Sequence, residues 1–157
     1  MVNLRPVAFV TAVFTVVCFV LSGLTVFAQP DVSASCAALM VAETGELIYG
    51  KNEHDRRSMA STTKIMTSLL AIEALTPQRK ITVSADMLNV EGTSMGLLPG
   101  DTVTLEGLVY GMLLQSGNDA ANVTAITLGG NVENFVSMMN KRAGEIGMND
   151  THFETPS

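Results

Sequence analysis

The chain has 157 residues, which fits one domain by length, and it is 47% hydrophobic, enough for a real core. Its formal charge is −6 and no basic run is clustered, which removes the electrostatic footprint that nucleic-acid binding requires. No His/Cys/carboxylate group has metal-ligand spacing, so no metal or other cofactor is expected.

In chain order, residues 1–28 carry a single charge, Arg5, ahead of an apolar run over residues 7–27. Val26-Phe27-Ala28 supplies small residues in front of Gln29, close to a leader-cleavage pattern. We read residues 1–28 as a secretory signal peptide and residues 29–157 as the mature domain. The run is long enough, at roughly 20 residues, for the competing reading as an uncleaved anchor. Both readings place the rest of the chain outside the cytoplasm. Of the two cysteines, Cys18 falls in this leader. Cys36 is then alone, with no intrachain partner, and reads as a buried structural thiol.

Residues 37–41 predict a buried strand, residues 43–46 a turn and residues 47–49 a returning strand, together a hairpin. A charged connection follows, and then an amphipathic helix over residues 57–75. Ile65, Leu69 and Ile72 form its apolar stripe, widened by Met66 and Leu70, with Ser58 as cap and Pro77 beyond its end. Residues 81–83 and 102–104 are short strand candidates. The Gly-rich stretch between them, residues 92–101, reads as an ordered loop folded on the body. A helix over residues 105–114 turns Leu105, Leu108, Val109, Met112 and Leu113 inward. Gln115-Ser116-Gly117-Asn118 interrupts it, and a second helix runs over residues 119–128 to Gly129-Gly130. Asn131 caps a third helix with Phe135, Met138, Met139 and Ile146 inward and Gly147 at its end. Residues 151–154 read as extended. The ten methionines lie mostly at core spacing on these helices and read as packing.

Ser61 and Lys64 stand three residues apart and share one face of the first helical turn. Ser-x-x-Lys is a pattern of acyl-transfer enzymes. A serine hydroxyl needs a base to attack. Neither His54 nor His152 lies in a triad pattern, and each reads as an ordinary surface or structural residue. Lys64 is the better base, because packing against Met and Leu faces disfavours its charged form. Ser61 also gains from the N–H groups and positive dipole end of its helix, which stabilise charge developing on an acyl oxygen. Ser116-Gly117-Asn118 is a polar break between apolar helices. By itself it suits a helix–helix turn. Paired with Ser61 and Lys64 it reads as a second catalytic wall, with Ser116 relaying a proton to the leaving amine. Asn118 is expected to hydrogen-bond Lys64 and the substrate amide.

Residues 58–67, Ser-Met-Ala-Ser-Thr-Thr-Lys-Ile-Met-Thr, resemble the active-site block of the serine-type D-alanyl-D-alanine carboxypeptidases, the low-molecular-weight penicillin-binding proteins. Residues 115–121, Gln-Ser-Gly-Asn-Asp-Ala-Ala, resemble their second block, and the likeness continues through residues 37–49, 92–100 and 147–153. The resemblance implies an α+β fold: the N-terminal part of a β-lactamase/transpeptidase-like domain, a β-hairpin plus a helical subdomain. It implies Ser61 as acylated nucleophile, Lys64 as general base, and Ser116 and Asn118 as second-motif residues. It implies the D-Ala-D-Ala end of a peptidoglycan pentapeptide stem as substrate and β-lactams as inhibitors, in a periplasmic or outer-face location.

The third family motif, Lys-Thr-Gly, does not occur in these 157 residues. In the family its lysine reads the substrate carboxylate and its strand supplies half of the oxyanion hole. We therefore expect the closing sheet strands to be absent and the chain to be the N-terminal portion of a longer enzyme or a truncated product. A C-terminal segment could then attach the enzyme to the membrane. The hairpin edge and one face of the Ser61 helix should be uncovered, which predicts poor stability alone. A sharp, reversible melting transition of monomeric 29–157 would refute this. Two other readings stay open: an inactive fragment, and a β-lactamase of the same fold. Against the latter, Gly117 stands where the Ser-Asp-Asn pattern has Asp, and no deacylating glutamate motif is seen.

Overall fold

The computed structural model describes residues 30–74 and 76–157. The proposed leader, residues 1–28, lies outside the described residues, as does Leu75. The chain divides into two compact units that meet between Arg56 and Arg57.

Within the first unit, β1 (Ala37–Met40) pairs antiparallel with β2 (Leu47–Lys51). The turn closes as expected. Gly45 adopts φ +72° and donates to Val41 O at 2.8 Å, a conformation that glycine takes without a Cβ penalty. Lys51 Nζ and Asn52 Nδ2 reach back to Val32 O and Ser35 O, tying the preceding segment to the hairpin. The strand of residues 37–41 is not buried as expected. Leu39, Met40, Leu47 and Ile48 are all exposed, because two strands alone have no sheet face to pack against. Cys36 is a free thiol and only half-buried, which corrects the reading of it as a core residue.

The second unit is helical. A 3-10 turn (Ala60–Thr62) leads into α1 (Thr63–Glu73). Then come β3 (Lys80–Thr82), a second 3-10 turn (Ala85–Leu88) and β4 (Thr102–Thr104), which pairs antiparallel with β3. Three helices follow: α2 (Leu105–Gln115), α3 (Asn118–Gly129) and α4 (Val132–Glu145). The caps explain the starts. Thr104 Oγ1 accepts from Gly107 N at 3.0 Å, and Asn131 Oδ1 accepts from Asn134 N at 2.7 Å. The ends follow from left-handed residues: Ser116 closes α2 and Gly130 closes α3.

The hub of this unit is α3. Asp119, Ala120, Ala121, Asn122, Val123, Thr124 and Ala125 are consecutive and all buried, so the helix is enclosed on every side. Its small residues let neighbours approach closely: a Cβ on Gly129 would stand 2.7 Å from the backbone nitrogen of Phe135. Ala120, Ala121 and Val123 pack with Ile81, Val83, Leu105, Leu108 and Met112 in one core. Ala125 joins Met66, Phe135, Met139 and Phe153 in the other. Asn122 is committed inside, donating to Met87 O at 2.8 Å.

Helix α1 departs from its expected orientation. Ile65 and Ile72 are 62% and 60% exposed, whereas Lys64, Met66, Thr67, Ser68 and Ala71 face inward. Only Met66 of the predicted stripe is buried, with Leu69 and Leu70 half-buried. The polar inward face has partners at two of its positions: Lys64 meets Ser116, and Thr67 Oγ1 donates to Pro156 O at 2.6 Å. Ser58 does not cap the helix; the 3-10 turn replaces a cap, with Thr62 N and Oγ1 both bonded to Met59 O. Leu113, Met138 and Ile146 also lie further out than the periodicity predicted, at 52%, 38% and 44% exposure. The extended stretch after α4 is held by a reciprocal pair, Asn140 Nδ2 to Phe153 O and Phe153 N to Asn140 Oδ1, each 2.8 Å.

Candidate active site

Ser61 lies in the middle of the 3-10 turn, two residues before the start of α1, and is exposed. Ala60 beside it adopts φ +46°, a left-handed conformation that costs a residue with a Cβ about 1 kcal/mol. The strained turn holds the hydroxyl at the positive end of α1 rather than within the helix wall.

Lys64 is 2% exposed, one of the largest buried side chains in the unit. Burial pulls its pKa below the ordinary lysine value. Its Nζ donates to Ser116 Oγ at 3.5 Å, the long limit of a hydrogen bond. Ser116 Oγ in turn donates to Ser61 Oγ at 2.8 Å. Three groups that are 52 and 55 residues apart in sequence thus form one line, Lys64–Ser116–Ser61. The order matters: Ser116 stands between the amine and Ser61. Hydroxyl protons rotate, so the line can also run from Ser61 through Ser116 to a neutral Lys64.

Ser116 owes its place to backbone geometry. It ends α2 with φ +56°, which turns the chain sharply before Gly117 and the start of α3. Gly117 is required by close approach, since a Cβ there would stand 2.8 Å from Asp119 Oδ1 and 3.1 Å from Met95 N. Asn118 is at hand but is not bonded to Lys64 as expected. Its Nδ2 donates to Glu91 O and its backbone N–H to Thr93 O, both at 2.7 Å. As the first residue of α3 it faces the loop of residues 91–97 instead.

Sequence reasoning missed Asp119. It is the one charged residue in α3, it is 5% exposed, and it holds that loop. Oδ1 accepts from Met95 N at 2.9 Å; Oδ2 accepts from Ser94 Oγ at 2.6 Å and from Gly96 N and Leu97 N at 3.1 Å each. Burial alone would raise its pKa, but the bonds from Ser94, Met95, Leu97 and Ala120 together hold it below the usual carboxylate value. A lone acid in the first turn of an otherwise uncharged helix was the available signal.

His152 is exposed and lines a hollow of about 320 Å³ beside the 3-10 turn, with Arg57, Met59, Ala60, Thr63 and Thr155. His54 belongs to the first unit and is exposed, 3.7 Å from Glu53. Among the described residues no group of three His, Cys, Asp or Glu side chains is placed to hold a metal, and no helix is long and apolar enough to cross a membrane.

The sequence pattern of the D-alanyl-D-alanine carboxypeptidases of peptidase family S11 matches residues 24–157. D-alanyl-D-alanine carboxypeptidase DacF of Bacillus subtilis is 37% identical over 129 residues, covering 79% of this chain and 33% of that protein. Among solved structures, DacD from Francisella tularensis superposes with a TM-score of 0.78 at 36% identity, over 83% of this chain and 33% of that one. The D-alanyl-D-alanine carboxypeptidase of Mycobacterium tuberculosis H37Rv gives 0.80 at 30% identity, over 85% of this chain and 50% of that one. This chain therefore spans a third to a half of the length of these relatives, and its helices and short strands form part of their fold. On the family match across most of its length, the chain belongs to the peptidase S11 family of D-alanyl-D-alanine carboxypeptidases.

Proposed function

We propose that the protein carrying this sequence is a serine-type D-Ala-D-Ala carboxypeptidase that trims peptidoglycan stem peptides outside the cytoplasm. The observation that supports the reading best is the line Lys64–Ser116–Ser61, in which a buried amine of lowered pKa is joined through one hydroxyl to another at a helix start.

In this reading Ser61 Oγ attacks the carbonyl carbon of the penultimate D-alanine. Its proton passes by way of Ser116 to the neutral Lys64 amine. The C–N bond of the tetrahedral intermediate then breaks, and the terminal D-alanine leaves as an amine that takes the proton back through Ser116. Water attacks the ester on Ser61 and regenerates the hydroxyl. Asn118 Nδ2 carries two N–H donors; one is used on Glu91 O, and the second is assigned to the substrate amide carbonyl. A β-lactam acylates the same serine. Secretion by residues 1–28 delivers the enzyme to its polymer.

The test is labelling of the complete gene product by a fluorescent penicillin. The wild type takes up one label per chain and releases D-alanine from a pentapeptide; Ser61→Ala loses both. Retained labelling in that variant would overturn the assignment of the nucleophile.

A further inference from the structure

The loop of residues 91–97 is held at two places. One is the buried carboxylate of Asp119, which takes hydrogen bonds from Ser94, Met95, Gly96 and Leu97. The other is the second motif itself. Thr93 Oγ1 donates to Ser116 O, Asn118 N donates to Thr93 O, and Asn118 Nδ2 donates to Glu91 O. The carboxylate makes no bond to Ser61, Lys64 or Ser116 among those described; it lies close against Gly117 and holds the loop that in turn bonds Ser116 and Asn118. Ser116 is in a left-handed conformation that it does not adopt freely, and the Thr93 hydroxyl is a bond on its carbonyl. Met95 and Leu97, from the clamped half, also pack on the core around Ala120 and Leu108. The loop is thus a brace, with its far half on Asp119 and its near half on Ser116 and Asn118.

We propose that Asp119 is a positioning residue that, through residues 91–97, sets the Ser116 backbone and the Asn118 side chain beside Ser61; this rests on the roles assigned to those residues above. The carboxylate takes no part in proton transfer. Asp119→Asn keeps the shape of the side chain but replaces one acceptor oxygen with a donor. Whichever way the amide sits, at least one loop N–H or the Ser94 hydroxyl loses its partner.

The experiment compares wild type, Asp119→Asn, Thr93→Val and the double variant in the complete gene product. Two quantities are read: the rate of Ser61 acylation by a fluorescent penicillin, and hydrogen exchange of the Asn118 amide, which is bonded to Thr93 O. Asp119→Asn is expected to slow acylation by about 10–100-fold, the scale on which small misplacements act, with little change in the concentration for half-saturation. The Asn118 amide loses protection. The double variant is no slower than Asp119→Asn alone, because both break one path; independent structural damage would multiply instead. A wild-type acylation rate with wild-type protection, or multiplying effects, overturns the proposal. Should Asp119→Asn fail to fold, Ser94→Ala removes a single bond to the carboxylate and takes its place under the same criteria. If the wild type itself is not labelled, the nucleophile assignment fails, and Asn118 protection alone then decides whether the brace exists.

Discussion

Helices α1 and α3 do opposite things with their side chains. Helix α1 turns a lysine, a threonine and a serine inward and leaves two isoleucines in solvent. Helix α3 buries seven consecutive residues, most of them small, and is surrounded. Hydrophobic burial therefore runs through α3 and the helices packed on it, while α1 contributes functional groups to the inside. Lys64 has no counter-charge among its described partners, so burial disfavours its charged form and lowers its pKa. The pairing that holds α1 from outside is Arg142 with Glu73, a bidentate contact with Arg142 Nη2 2.6 Å from Glu73 Oε1, and the hydrogen bond to Glu73 raises the arginine's pKa.

The contrast can be broken hardest at Lys64. Lys64→Met should cut acylation of Ser61 by about 10²–10⁴-fold, as expected for loss of a general base. It should leave the melting temperature equal or higher, because a buried amine becomes apolar. A lower melting temperature would show that Lys64 stabilises the fold. The core of α3 comes next. Phe135→Ala should cost about 3–5 kcal/mol in denaturant unfolding, since its ring is fully buried against Ala125 and Met139. Ala121→Leu, overfilling the enclosed helix, should cost about 1–3 kcal/mol. At the low end, Ile72→Thr on the outer face of α1 should stay within about 0.5 kcal/mol in this 157-residue chain. A large loss there would mean that the face is covered.

The two titrating groups separate the helices by pH. Lys64 has a folded-state pKa below that of the unfolded chain, so the unfolded chain binds more protons between the two values. Stability from this group rises as pH increases through that window, up to the ordinary lysine value of about 10.4, and Lys64→Met should flatten that slope. Asp119 gives a slope of the same sign, in an acid window. Its folded-state pKa is depressed, so its contribution is present above about pH 4 and is lost as pH falls through the folded value. Acid should therefore release the 91–97 loop first, visible as loss of Asn118 amide protection before global unfolding.

Much was legible in the sequence because it rests on local rules. The helix start at Asn131 follows from capping chemistry, and the stop at Gly130 from its left-handed turn. Ser61, Lys64 and Ser116 were found from motif spacing, and the family from several blocks in order. Local rules do not choose between two faces of one helix. Residues 63–73 carry apolar groups on both sides, and the inward side was decided by which groups found distant partners, Ser116 for Lys64 and Pro156 for Thr67.

Sequence by itself determined most of the helices and strands and named the candidate acyl-transfer residues, because propensity, caps and motif spacing act within a few residues. Tertiary structure alone decided that Ser116 stands between Lys64 and Ser61, that Asn118 faces Glu91, and that Asp119 braces a loop more than twenty residues away. Those contacts are made by hydrogen bonds across packed elements. Their direction depends on where α3 puts the end of α2, which no local pattern encodes.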